Sequence, residues 1–129
     1  MNDYVLDASA VLAALNGEPG GEILLEAGPG SQISTVNLGE VYSTLIDAGV
    51  PFEEVKRAMA RLDFREIDFG PDHAARVGQL RPLTRRFGQS FGDRACLAES
   101  QISGLPILSC DRQMGQAATA LGIDIRMIR

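Results

Sequence analysis

Tyr4-Val5-Leu6-Asp7 near the start and Pro106-Ile107-Leu108-Ser109-Cys110-Asp111 near the end decide how the chain reads, because each is a short apolar run that stops on an aspartate. Continuous apolar runs of this length suit strands buried on both faces, as in parallel sheets. Around them the spacing turns helical. A helix over 10–15, capped by Ser9, stops near Asn16-Gly17, and a second over 22–27 closes at Gly28-Pro29-Gly30. A strand over 32–35 leads into a helix with Leu38, Val41, Tyr42, Leu45 and Ile46 on one side and a stop at Gly49. Pro51 opens the next helix, with Val55, Met59 and Leu62 facing inward. The strand over 64–69 has polar alternates, Arg65, Glu66 and Asp68, which places it toward an edge. A helix over 72–80 is ended or kinked by Pro82, and 88–92 is a loop before a helix carrying Ala95, Cys96, Leu97 and Ile102 that stops at Gly104. The strand over 106–110, a helix over 113–121 and a strand over 123–128 complete the pattern. Strands alternating with helices imply right-handed crossovers and a mainly parallel central sheet with helices on both faces, an α/β fold.

In such folds ligands gather beyond the carboxyl ends of the strands. Asp7 and Asp111 each follow a strand directly, and Glu40 and Asp93 lie near the starts of helices that begin at the same edge. Taken singly, each acid has a plainer role: acids favour helix N-termini, and aspartate favours turns. Together they are crowded like charges, which stability alone disfavours. A divalent cation resolves that conflict, and an oxygen-rich site with few His or Cys suits Mg²⁺ or Mn²⁺. Such a site fits phosphodiester hydrolysis, because a metal ion makes water acidic enough to attack near neutral pH and stabilises charge on the phosphoryl group. No Ser-His or Cys-His pair competes, since His73 is the single histidine and has no motif around it. His73, just after Pro71-Asp72, reads as exposed or capping. Ser9 and Ser109, each two residues from an acid, either hold a metal-bound water or act as cap and turn residues.

Composition narrows the class. The chain has 129 residues, 45% of them apolar, which fits one domain over 1–129 with an ordinary core. No apolar run is long enough to span a bilayer, and Met1-Asn2-Asp3-Tyr4 lacks the basic flank of a secretory leader, so a cytoplasmic location is expected. Cys96 and Cys110 read as free thiols, with a disulfide the alternative; with His73 they are too few for a structural zinc site. A net charge of −5 excludes a protein that coats nucleic acid by general basic charge. Arginine supplies all the basic residues except Lys56, and Arg81, Arg85, Arg86 and Arg94 cluster in sequence, either to hold phosphates or as a solvated face.

At these residues the chain resembles the PIN-domain nucleases, and more narrowly the VapC-type toxins of toxin–antitoxin pairs. The matching stretches are Val5-Leu6-Asp7-Ala8-Ser9-Ala10, Ser34-Thr35-Val36-Asn37-Leu38-Gly39-Glu40-Val41, Gly92-Asp93-Arg94-Ala95-Cys96-Leu97-Ala98 and Leu108-Ser109-Cys110-Asp111-Arg112. They occur in the family's order along nearly the whole chain. The resemblance implies a PIN fold, Mg²⁺- or Mn²⁺-dependent endoribonuclease activity, a homodimer and neutralisation by a cognate antitoxin. It carries the family's metal ligands onto Asp7 and Asp93, with Glu40 and Asp111 as the remaining acids. Two departures stand out: Gln89-Ser90-Phe91 replaces the more usual Leu-Ser-Leu, and Cys110 stands where Ala is common.

Two other readings compete. A receiver-type signalling domain has similar length and acids, but needs a later functional lysine, and Lys56 sits inside a helix without a supporting motif. A PIN fold kept only for binding, without turnover, is opposed by the intact acid set.

Overall fold

The computed structural model describes residues 3–129; Met1 and Asn2, part of the stretch read above for a leader, lie outside the described residues. The elements in order are β1 (Val5–Leu6), α1 (Ala8–Leu15), α2 (Gly21–Leu25), β2 (Gln32–Ser34), α3 (Thr35–Asp47), α4 (Phe52–Leu62), β3 (Arg65–Ile67), α5 (Pro71–Thr84), a 3₁₀ turn (Arg85–Phe87), α6 (Phe91–Ser103), β4 (Ile107–Ser109), α7 (Arg112–Ala120) and β5 (Ile125–Met127). The strands form one parallel sheet in the order β3-β2-β1-β4-β5. The polar strand β3 is an edge, as its alternation implies, and β1 is central.

Strand pleating explains why two-residue β1 suffices. Val5 pairs with Ile107 and Leu6 with Leu108. Successive side chains point to opposite faces. Leu6, Ile33 and Leu108 therefore join a core with Ala10 and Val11 of α1, Val41 and Leu45 of α3, and Val55 and Met59 of α4. Val5 and Ile107 join a second core with Val77 and Leu80 of α5, Ala95 to Ala98 of α6, and Met114 and Ala117 of α7. Both faces of the sheet are covered, and each fully buried Val, Leu or Ile contributes roughly 1.5–3 kcal/mol. No helix of the described residues is long and apolar enough to cross a membrane.

Several local expectations are corrected. Ser9 is not the cap of α1; the helix starts at Ala8 with Asp7 in the N-cap position, and the Ser9 hydroxyl serves the Asp7 carboxylate instead. Ile46 lies at the rim of its helix stripe and is 43% exposed. Pro82 neither ends nor visibly interrupts α5, which runs on to Thr84. The carbonyl that a proline ring crowds is four residues back. That residue is Gly78, exposed and with nothing near its missing side chain, and the Thr84 hydroxyl donates to the Leu80 carbonyl at 2.8 Å to close the last turn. The loop before α6 is shorter than read, since Phe91 and Gly92 already belong to the helix.

Candidate active site

The strand ends deliver Asp7 and Asp111 to one edge of the sheet. Asp7 is fixed by its backbone, whose N–H donates to the Leu108 carbonyl at 3.0 Å, and its side chain is only 4% exposed. Two hydroxyls converge on Oδ2: Ser9 Oγ donates at 2.6 Å and Ser109 Oγ at 2.8 Å. A hydroxyl has one proton, so both are spent on Asp7. Each hydroxyl oxygen then accepts from the turn after β4, Ser9 from Cys110 N–H at 3.1 Å and Ser109 from Asp111 N–H at 3.0 Å. The two serines thus tie β1, α1 and the start of α7 into one unit and engage only one carboxylate oxygen.

Glu40 and Asp93 come from α3 and α6. Glu40 is the sixth residue of α3, a turn later than expected, and accepts from Asn37 Nδ2 at 2.8 Å. The same amide donates to the Gly92 carbonyl at 2.9 Å, so Asn37, fully buried, fastens α3 to the first turn of α6. The Asn37 Oδ1 is buried without a hydrogen-bond partner. Gly92 leaves the Glu40 carboxylate its present place, because a Cβ on it would overlap that carboxylate and push it aside. Asp93 and Ser90 form a reciprocal cap of α6: Ser90 N–H donates to Asp93 Oδ2 at 2.9 Å and Asp93 N–H to Ser90 Oγ at 3.2 Å. Asp111 caps α7 by accepting from Gln113 N–H at 2.9 Å.

The electrostatics tie three of the four acids together. Burial pushes the Asp7 carboxyl up, the Ser9 and Ser109 hydroxyls pull it down, and Asp93 and Glu40 push it up again, to about 6. Burial also raises Glu40, the Asn37 amide lowers it, and Asp93 raises it. Cys96, buried behind the site on α6, has its thiol raised by burial and then by these same acids, so it is an inert thiol. Asp111 is not among the charges acting on Asp7. Each acid is oriented by its own local donor, and among the described residues no three His, Cys, Asp or Glu side chains stand close enough to hold one ion. The donor set still fits a hard divalent cation: carboxylate oxygens, mutual repulsion, and a glycine that admits Glu40.

The other sequence candidates divide. Arg81, Arg85 and Arg86 are exposed, the last two on the 3₁₀ turn between α5 and α6. Arg94 is not a phosphate contact: it is 8% exposed and donates from Nη1 to the Val77 carbonyl at 2.9 Å, clamping α6 to α5. His73 caps α5 as one alternative had it, accepting from Gly70 N–H at Nδ1, and its Nε2 faces Glu99 at 2.7 Å. Cys96 and Cys110 are free. Sequence reasoning gave no role to Asn37 and Gly92. Their signals were a polar residue four before the buried Val41, and a glycine inside a helical turn with no bend to make.

Comparison with known proteins agrees with this architecture. The PIN domain family profile matches residues 4–120. No curated protein sequence matches the chain. Among solved structures, a toxin–antitoxin complex from Klebsiella pneumoniae is similar with a TM-score of 0.76 and 20% identity, over 98% of each chain. DNA-bound VapBC from Salmonella typhimurium gives 0.73 and 16% over 100% of each. VapC20 from Mycobacterium tuberculosis, a sarcin-ricin loop cleaving toxin, gives 0.70 and 21% over 89% of this chain and 95% of that one. At these identities the structural likeness speaks for the fold, and with the profile match over nearly the full length it follows that the chain belongs to the PIN-domain family.

Proposed function

We propose that this PIN domain is a divalent-metal-dependent endoribonuclease, the toxin of a toxin–antitoxin pair, working as a cytoplasmic homodimer with Asp7, Glu40, Asp93 and Asp111 as its metal-binding and catalytic residues. The observation that carries the reading is that β1, α3 and α6 bring buried Asp7, together with Glu40 and Asp93, to the carboxyl edge of a parallel sheet, near enough for their charges to act on one another. When bound, Mg²⁺ or Mn²⁺ supplies Lewis acidity to the phosphodiester and makes water acidic enough to attack at neutral pH. Ser9 and Ser109 hold Oδ2 of Asp7 and leave Oδ1 available. Asn37 aligns Glu40, and the Ser90 N–H aligns Asp93. Arg85 and Arg86 offer exposed guanidinium groups for the flanking phosphates. The solved toxin–antitoxin neighbours support a cognate antitoxin as partner; crowded carboxylates would favour a basic side chain from that partner among them.

A binding module without turnover is the second reading, favoured by the spacing of the acids, which leaves no three able to share an ion as they stand. One experiment decides between them. Purified protein should cut single-stranded or loop RNA in Mg²⁺ or Mn²⁺ and stop in EDTA. Full cutting in EDTA sinks the metal mechanism, and RNA binding that persists in EDTA without any cutting in Mg²⁺ or Mn²⁺ supports the module.

A further inference from the structure

We propose that Phe91 is a stacking platform for an unpaired RNA base beside the bond that is cut, so that substrate enters this site single-stranded; the inference rests on the nuclease reading above. Phe91 is the first residue of α6, between the capping Ser90 and Gly92, whose missing Cβ leaves room for Glu40, with Asp93 next. It is 52% exposed, whereas Ala95, Cys96, Leu97 and Ala98 of the same helix are fully buried. The ring is nevertheless held in place. Phe69 packs against it with centroids 5.7 Å apart at 50°, and the Arg94 guanidinium lies over it at 5.7 Å. Arg94 is itself anchored on the Val77 carbonyl, so the ring is backed by a fixed group on one side. Phe69 follows β3 while Asp7 follows β1, which sets the aromatic pair beside the acids along the same edge.

Charge explains why such a platform is needed. A chain of net charge −5 with acids at its centre repels an RNA backbone, so general electrostatics cannot supply the affinity. Base–aromatic stacking supplies affinity without neutralising phosphates, and it is open only to bases out of a duplex. The surroundings favour a base over a protein side chain. A protein partner seeks a contiguous apolar patch. Here one half-exposed ring, backed by Phe69, has the polar residues Ser90 and Asp93 beside it on the first turn of α6, and their polar groups suit the polar edge of a base.

The chain has no tryptophan, so Phe91→Trp installs a single reporter. A single-stranded 2′-O-methyl oligoribonucleotide should quench its emission saturably, and the same oligonucleotide annealed to its complement should not. On cleavable RNA, Phe91→Leu should raise KM between roughly 5- and 100-fold, equally at low and high salt, with kcat and Tm little changed, while Phe91→Trp keeps the wild-type KM. Unmoved emission while anisotropy reports binding overturns the proposal. So does a wild-type KM in Phe91→Leu, and if that variant instead loses a protein partner, the face belongs to that partner. Failure of the nuclease reading is seen separately: wild-type protein then cuts no RNA, and quenching in Phe91→Trp still decides whether a base stacks there.

Discussion

At Asp7, burial and the charges of Asp93 and Glu40 outweigh two hydroxyl hydrogen bonds, leaving the carboxyl at about 6 against 3.8. Between those values the folded chain keeps a proton that the unfolded chain releases. Metal-free stability therefore falls as pH rises through this window, by about 3 kcal/mol once both states are ionised. Asp7→Asn keeps the shape without the charge. In EDTA its Tm should lose that decline between pH 4 and 6 and match or exceed wild type at pH 7, while Mn²⁺ binding and RNA cleavage collapse. A parallel pH decline in both proteins would show that Asp7 carries no buried charge. Gly92 offers the complementary test. Alanine suits a helix better by up to about 1 kcal/mol. The atom it would strike is the mobile end of Glu40, so Gly92→Ala should leave Tm unchanged or slightly raised. Displacing a reacting group by about 1 Å can cost roughly 100-fold, and cleavage should fall on that order. Unchanged cleavage would remove Glu40 from the site.

At the scale of elements, α6 carries two polar clusters with different duties. Its first turn holds Asp93. About 9 Å further along lies Glu99, 2% exposed, hydrogen-bonded to Gln32 of β2 and to His73 of α5, with Arg65 of β3 donating to Gln32 at 2.7 Å. The second cluster pins α5, α6 and the edge of the sheet together. Because His73 Nδ1 accepts from Gly70 N–H, its proton sits on Nε2 and points at Glu99. Glu99→Ala strands both donors in the interior and should cost about 3 kcal/mol of stability, read as a lower Tm. Cleavage per folded molecule should stay at wild type; a lower kcat in fully folded Glu99→Ala would make the cluster part of the site. Elements such as α3 and β4 were legible because apolar periodicity is local. Arg94 was not, since its fate depends on the Val77 carbonyl, which only the packing of α5 on α6 brings near. Pro82 misled for another reason: the carbonyl it leaves without an N–H donor belongs to exposed Gly78, where water can serve it, so α5 runs on to Thr84.

Across the whole molecule, Asp7 and Asp111 were readable as strand-end residues and Asp93 as a helix-start residue, because fold class alone sends such positions to one edge, whereas Glu40 lies a turn further into α3 than its reading had it. Their supports were not, since Ser9, Ser109 and Asn37 act on partners that no spacing rule connects. The bond from Ser109 to Asp7 spans 102 residues of chain. The same separation has a consequence for how the protein is made. Chains fold from the N-terminus as they leave the ribosome, and contacts distant in sequence close late. Asp7 emerges early, yet two-residue β1 has no complete ladder, and its carboxylate no Ser109, until β4 has been synthesised. If the chain cuts RNA as proposed, no assembled site exists while it is being translated, and cutting can begin only after β4 has been made and has joined β1.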